Sequence, residues 1–236
     1  MNISFKIASD FAIKLYISGL ASGSKSFAPL SFSDREYFRN QIIGKIPDIF
    51  SLGNNYDDAK KIKSEILLGR ITDFLGEEQE KVDNVELKNI DLKNANSLQN
   101  DLELSFKKSA KQIEDYFSSK SIDSGISITV FIMPMTGELA EALDGIIVVG
   151  DGFSKDIAFP ILLEEIIHCL LDNNTVDDIV SSLELIDSAQ LIKEEIIAGF
   201  LLYELLIKLN YSKDIIDSVV FDWHGGDRAP FVKKLI

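Results

Sequence analysis

The segment Phe159-Pro160-Ile161-Leu162-Leu163-Glu164-Glu165-Ile166-Ile167-His168-Cys169-Leu170-Leu171 places three ionisable side chains inside an otherwise apolar run. Ser154 supplies an N-cap just upstream, so the spacing predicts a buried helix from Lys155 to Leu171, with Pro160 accommodated near its first turn or as a kink. Residues four apart share one face of such a helix, so Glu164 and His168 project together and Glu165 lies about 100° round on the neighbouring stripe. Charged groups are almost never fully buried unless they are paired or hold a metal, so the question is what these three face.

A partner is encoded downstream. The stretch from Ala189 to Leu209 reads as another apolar helix ending at Asn210, and Glu195 sits in it among Leu191, Ile192, Ile196 and Ile197. If the two helices pack, Glu164, His168 and Glu195 form one imidazole and two carboxylates around a common point, a donor set suited to zinc or another divalent first-row ion with one position left for water.

Upstream of the first helix, Ile126 to Met133 and Gly145 to Gly150 are short β-branched runs bounded by Gly, Pro and Asp, the signature of strands, and Thr136 to Leu143 between them reads as a turn of helix. Strands, a helix with a five-residue motif and a second helix with Glu-x-x-Ala together resemble the zincin metallopeptidases in their glutamate-ligand (gluzincin) form. The family motif is H-E-x-x-H, two histidine ligands around a general base. In this sequence Glu165 matches the base, His168 the second histidine, and Glu195 of Glu195-Ile196-Ile197-Ala198 the distal carboxylate ligand. Glu164 stands where the family has its first histidine. A carboxylate there is a competent ligand, but its charge makes the ion a weaker Lewis acid.

The resemblance spans Ile126 to about Leu209 and is silent on residues 1 to 120. It implies a divalent-metal-dependent peptidase, with zinc as the expected metal, Glu165 as general base for the attacking water and a peptide or protein substrate. It also implies a substrate cleft lined by an edge strand, a place that Ile126 to Met133 takes by position. Tyr203, Tyr211 and His224 are the candidates for a transition-state donor. Other readings of the same residues stay open. Glu164 and Glu165 could lie on a solvated helix edge with His168 bonded to a core carboxylate, and the chain could be a catalytically inactive zincin-like scaffold or a helical protein acting through protein-protein contacts. A ferritin-like di-metal bundle is excluded, because it needs E-x-x-H twice and His168 and His224 are the only 2 histidines.

Composition narrows the partners. With 38 acidic against 24 basic residues the net charge is -14, which argues against nucleic acid and anionic membranes. Lys6, Asp10 and Lys14 interrupt the apolar N-terminal residues, so neither a signal peptide nor a membrane span is expected and a cytoplasmic location is. Cys169, the 1 cysteine, reads as a small buried side chain rather than a nucleophile.

The 236 residues contain no repeat or obvious linker, which predicts one compact unit, with a mainly helical region over 1–120 and the zincin-like strands and helices over 121–236. Helical spacing runs from Ser33 to Leu75 and from Leu98 to Ser119, with Leu102, Leu104, Ile113 and Phe117 inward and Lys107, Lys108 and Lys111 outward. Gly76 to Ser97 reads as an acidic loop, and Phe221 to Arg228 as a turn covering the core with Trp223. The expected fold is α+β and zincin-like, mostly helical, with a small sheet and a central motif-bearing helix.

Overall fold

The computed structural model describes residues 1–17, 80, 83–84, 92–134, 137–143, 145–171, 175–176, 179, 190–223 and 229–236. The expected helix over 33–75, most of the loop over 76–91, and the segment 224–228 with His224 lie outside these residues. In chain order the described elements are β1 (Asn2–Ile7), α1 (Asp10–Ile17), α2 (Leu92–Ser119), β2 (Ser127–Met133), β3 (Ala140–Leu143), β4 (Ile146–Gly150), α3 (Lys155–Leu170), α4 (Gln190–Lys208), α5 (Lys213–Ile216), a π-helical turn (Asp217–Trp223) and α6 (Ala229–Leu235). The fold is α+β with a small sheet, as expected.

The sheet has four strands in the order β1-β2-β4-β3. β2 and β4 are parallel, Thr129 opposite Ile146 through Met133 opposite Gly150, and β3 is antiparallel to β4. Asn2 N–H donates to Ile126 O and Ala8 N–H to Ile132 O, a constant offset that makes β1 parallel to β2 as well. This corrects the placement of Ile126 to Met133 at an edge: β2 is interior, with β1 on one side and β4 on the other. The reason is legible in its burial, which is near-continuous in β2 and complete in β4, as befits parallel strands covered on both faces.

Thr136 to Leu143 is corrected too. Its described part holds strand β3, not a helical turn, although Ala-Glu-Ala-Leu favours a helix by intrinsic propensity. Pairing overrides that preference, since Gly145, at φ 79, turns the chain so that Leu143 meets Ile146 and Ala140 meets Val149. After β4 the chain passes Gly152, whose N–H donates to Gly137 O, and a Cβ at Gly152 would come within 2.4 Å of the Gly137 carbonyl carbon.

Contacts divide the chain into two compact units that each draw on both sides of position 120. One holds Met1–Ser4, Asn100–Ile128 and Phe153–Ile236, the other the described residues of Phe5–Gln99 and Thr129–Gly152. In the second unit lie α1, the start of α2 and most of the sheet.

The first unit is helical and carries the motif. α3 is buried without a break from Ala158 to Ile167, the pattern of a helix enclosed on all sides. It packs against α4, which in turn packs against α6, α5 and the π-helical turn. Helix α2 starts at Leu92, six residues before the expected Leu98, and its remaining face follows expectation: Leu102, Ile113 and Phe117 are buried and Lys107, Lys108 and Lys111 exposed. Leu104 departs from it, pointing outward at 51% exposure. Tyr116 of α2 donates its hydroxyl to Leu201 O and Glu204 Oε2 of α4, each at 3.0 Å.

Both long helices end without glycine. Ser121 and Asn210 take the left-handed conformation at φ 59 and 61, and each end closes with paired bonds, Ile122 N–H to Phe117 O and Ser121 N–H to Ser118 O after α2, Tyr211 N–H to Leu206 O and Asn210 N–H to Ile207 O after α4. Among the described residues no helix is long and apolar enough to cross a membrane.

Candidate metal centre

α3 begins where expected, at Ser154, whose extended backbone makes it the N-cap, although its hydroxyl makes no capping bond. From there the helical period brings Glu164 and His168 onto one face, turned toward α4. Glu164 is wholly buried and Glu165 is 5% exposed, which removes the reading that places them on a solvated edge. The His168 side chain is 10% exposed.

α4 answers with two consecutive carboxylates on either side of the imidazole. Glu194 Oε1 lies 3.0 Å from His168 Nδ1, and Glu195 Oε1 lies 3.8 Å from Nε2. One ligand atom each from Glu164, His168 and Glu195 lie within 4.8 Å of one another. The expected metal ligands are therefore brought together, across a separation of 31 residues between Glu164 and Glu195 that only helix pairing spans.

Burial by itself would push the His168 imidazole down. The hydrogen bond to Glu194 and the charges of Glu195, Glu165 and Glu164 outweigh it, so its pKa is held up at about 9. Glu164, Glu165, Glu194 and Glu195 thus surround one imidazole, an acidic setting that favours a cation. The donor set of one imidazole and two carboxylates fits such an ion. Ligands at about 2.1 Å from a tetrahedral centre are roughly 3.4 Å apart, so side-chain rotations that move the ligand atoms by about an ångström would complete the coordination. The group could hold a divalent metal ion.

Glu165 is close enough to act on His168 electrostatically but does not belong to the ligand group. Of the candidate transition-state donors, Tyr203 packs its ring against Phe221 at 6.3 Å, and its Cα is about 12 Å along α4 from that of Glu195. Tyr211 follows the end of α4, where burial pushes its hydroxyl pKa up. Cys169 is half-buried beside His168.

Sequence reasoning misses Glu194. The reading of the sequence rests on its neighbour Glu195, and a pair of adjacent carboxylates 100° apart on a helix cannot both be assigned to one face. The available signal is that the pair Glu194-Glu195 of α4 repeats the pair Glu164-Glu165 of α3. No family model, curated protein or solved structure matches the chain.

Proposed function

We propose that the chain is a zincin-like, divalent-metal-dependent peptidase, with Glu164, His168 and Glu195 as the ligands of a zinc ion and Glu165 as general base. The observation that carries the reading is the meeting of three ligand atoms within 4.8 Å, from two helices, at the positions matching the family motif. When bound, the ion would polarise the scissile carbonyl and make water a nucleophile near neutral pH. Glu165, beside the ligand group on the same helix, takes a proton from the attacking water and returns it to the leaving amine. Glu164 and Glu195 add two negative charges at the centre, so turnover is expected to be slower than with two histidine ligands.

A second reading, an inactive zincin-like scaffold acting through protein contacts, is favoured by one observation. Glu165 is 5% exposed, and a general base needs access to the water it activates. The acidic surface implied by the net charge of -14 would then serve a basic partner.

Elemental analysis of purified protein, with His168→Ala as control, separates metal protein from non-metal protein. About one equivalent of zinc, lost in the variant, supports the site. Peptide-library hydrolysis by wild type and Glu165→Gln then decides between enzyme and scaffold: turnover abolished with metal retained supports the peptidase, and metal without turnover in either protein supports the scaffold. Protein that takes up no ion when zinc is offered overturns the peptidase reading and leaves at most the scaffold.

A further inference from the structure

The imidazole of His168 has two nitrogens, and only one can meet the ion of the proposed centre. The neutral ring carries its proton on one nitrogen and its lone pair on the other, so whatever accepts the proton decides which nitrogen coordinates. Glu194 Oε1 is 3.0 Å from Nδ1, within hydrogen-bond range, whereas Glu195 Oε1 is 3.8 Å from Nε2, a gap that suits two ligands of one ion better than a direct hydrogen bond. Glu194 is not in the ligand group that Glu164, His168 and Glu195 form.

We infer that Glu194 is a positioning residue of the centre: its carboxylate accepts the Nδ1 proton of His168, holds the ring in place and presents the Nε2 lone pair to a divalent ion. The inference rests on the metal reading above and extends it beyond the residues that match the motif. A carboxylate in this role also raises the basicity of the ligand, because negative charge behind the ring strengthens the lone pair in front of it. Two consecutive residues of α4 thus have separate jobs. Glu195 meets the ion directly, and Glu194 reaches it only through His168.

Glu194 has a partly exposed side chain, at 29%, so its removal leaves little cavity and the variants are expected to fold. The test is chelator-competition titration of zinc into the full chain and its Glu194→Ala and Glu194→Gln variants, joined to 15N spectra of the zinc-loaded protein labelled at histidine. With 2 histidines in the chain, His224→Ala assigns the resonances. Wild type should show Nε2 as the coordinating nitrogen and a retained Nδ1 proton. Glu194→Ala should weaken zinc binding roughly 10- to 100-fold, the usual cost of losing such a partner. Glu194→Gln should recover part of that loss, since its carbonyl can accept the same proton without the charge.

Zinc affinity in Glu194→Ala within twofold of wild type, or coordination through Nδ1, would overturn the inference while leaving the metal centre standing. A wild-type protein that binds no zinc would overturn both, so the two failures are told apart by the wild-type titration alone.

Discussion

Every residue of β4, from Ile146 to Gly150, is buried, and so is every residue of α3 from Ala158 to Ile167. β4 is built of aliphatic side chains and glycine alone, whereas α3 spends two of its buried positions on Glu164 and Glu165 and places His168 just beyond. Burial of Ile147 and Val148 lowers the free energy of the fold directly, at about 25 cal/mol for each Å² of apolar surface removed from water. Burial of Glu164 works the other way, because a carboxylate taken out of water loses its hydration and must recover it from a counter-charge. Equal burial therefore marks two kinds of segment, one that holds the structure together and one that the structure must hold in place.

The sharpest test of that contrast is at β4. Ile147→Ala removes a wholly buried side chain from a close-packed strand and is expected to cost about 2–5 kcal/mol, read from urea unfolding. A loss under 1 kcal/mol would mean that β4 is not the stabilising region.

The next effect belongs to His168, through pH. Its folded pKa, about 9, lies above the value of 6.5 for a free imidazole, so the folded protein binds this proton more tightly than the unfolded chain. The contribution to stability is full below pH 6.5 and declines as pH rises through about 9, with an upper limit of about 3 kcal/mol. Metal-free protein should show this decline in unfolding experiments between pH 6 and pH 10, and His168→Gln should flatten it. An unchanged slope in the variant would place the titrating group elsewhere.

Glu164→Gln comes third and has the opposite sign to Ile147→Ala. Neutralising the buried carboxylate should raise the stability of metal-free protein by up to about 2 kcal/mol while removing zinc uptake. A loss of more than 1 kcal/mol would make Glu164 a structural partner of His168 and erase the contrast with β4. The smallest effect is expected for Tyr116→Phe, which deletes the hydroxyl bonded to Leu201 O and Glu204 and should cost about 1 kcal/mol in the same unfolding assay.

Much of the site is legible in the order of the amino acids. The four-residue spacing of Glu164 and His168 places them on one helix face whatever surrounds the helix, whereas Glu195, expected to be buried among its apolar neighbours, keeps a side chain that is 35% exposed. Glu194 escapes because a hydrogen bond between residues 26 apart is made by helix packing and leaves no periodicity in the chain. In the sheet, β2 and β4 are legible as strands from their β-branched runs. Their order is not, because pairing is a relation between segments, and β3 can be recognised only from its partner: its own residues prefer a helix.

What the sequence determined by itself is therefore local. The start of α3 at Ser154, the end of α4 at Asn210, the outward lysines of α2 and the shared face of Glu164 and His168 all follow from the backbone period and from what each side chain can bury or cap. Only the tertiary structure decided that β2 is interior, that β3 is a strand, that α3 is enclosed rather than half-solvated, and that Glu194 rather than Glu195 holds Nδ1 of His168. These depend on which surfaces meet, and the energy of each contact belongs to a pair of residues far apart in the chain, so neither member carries it alone.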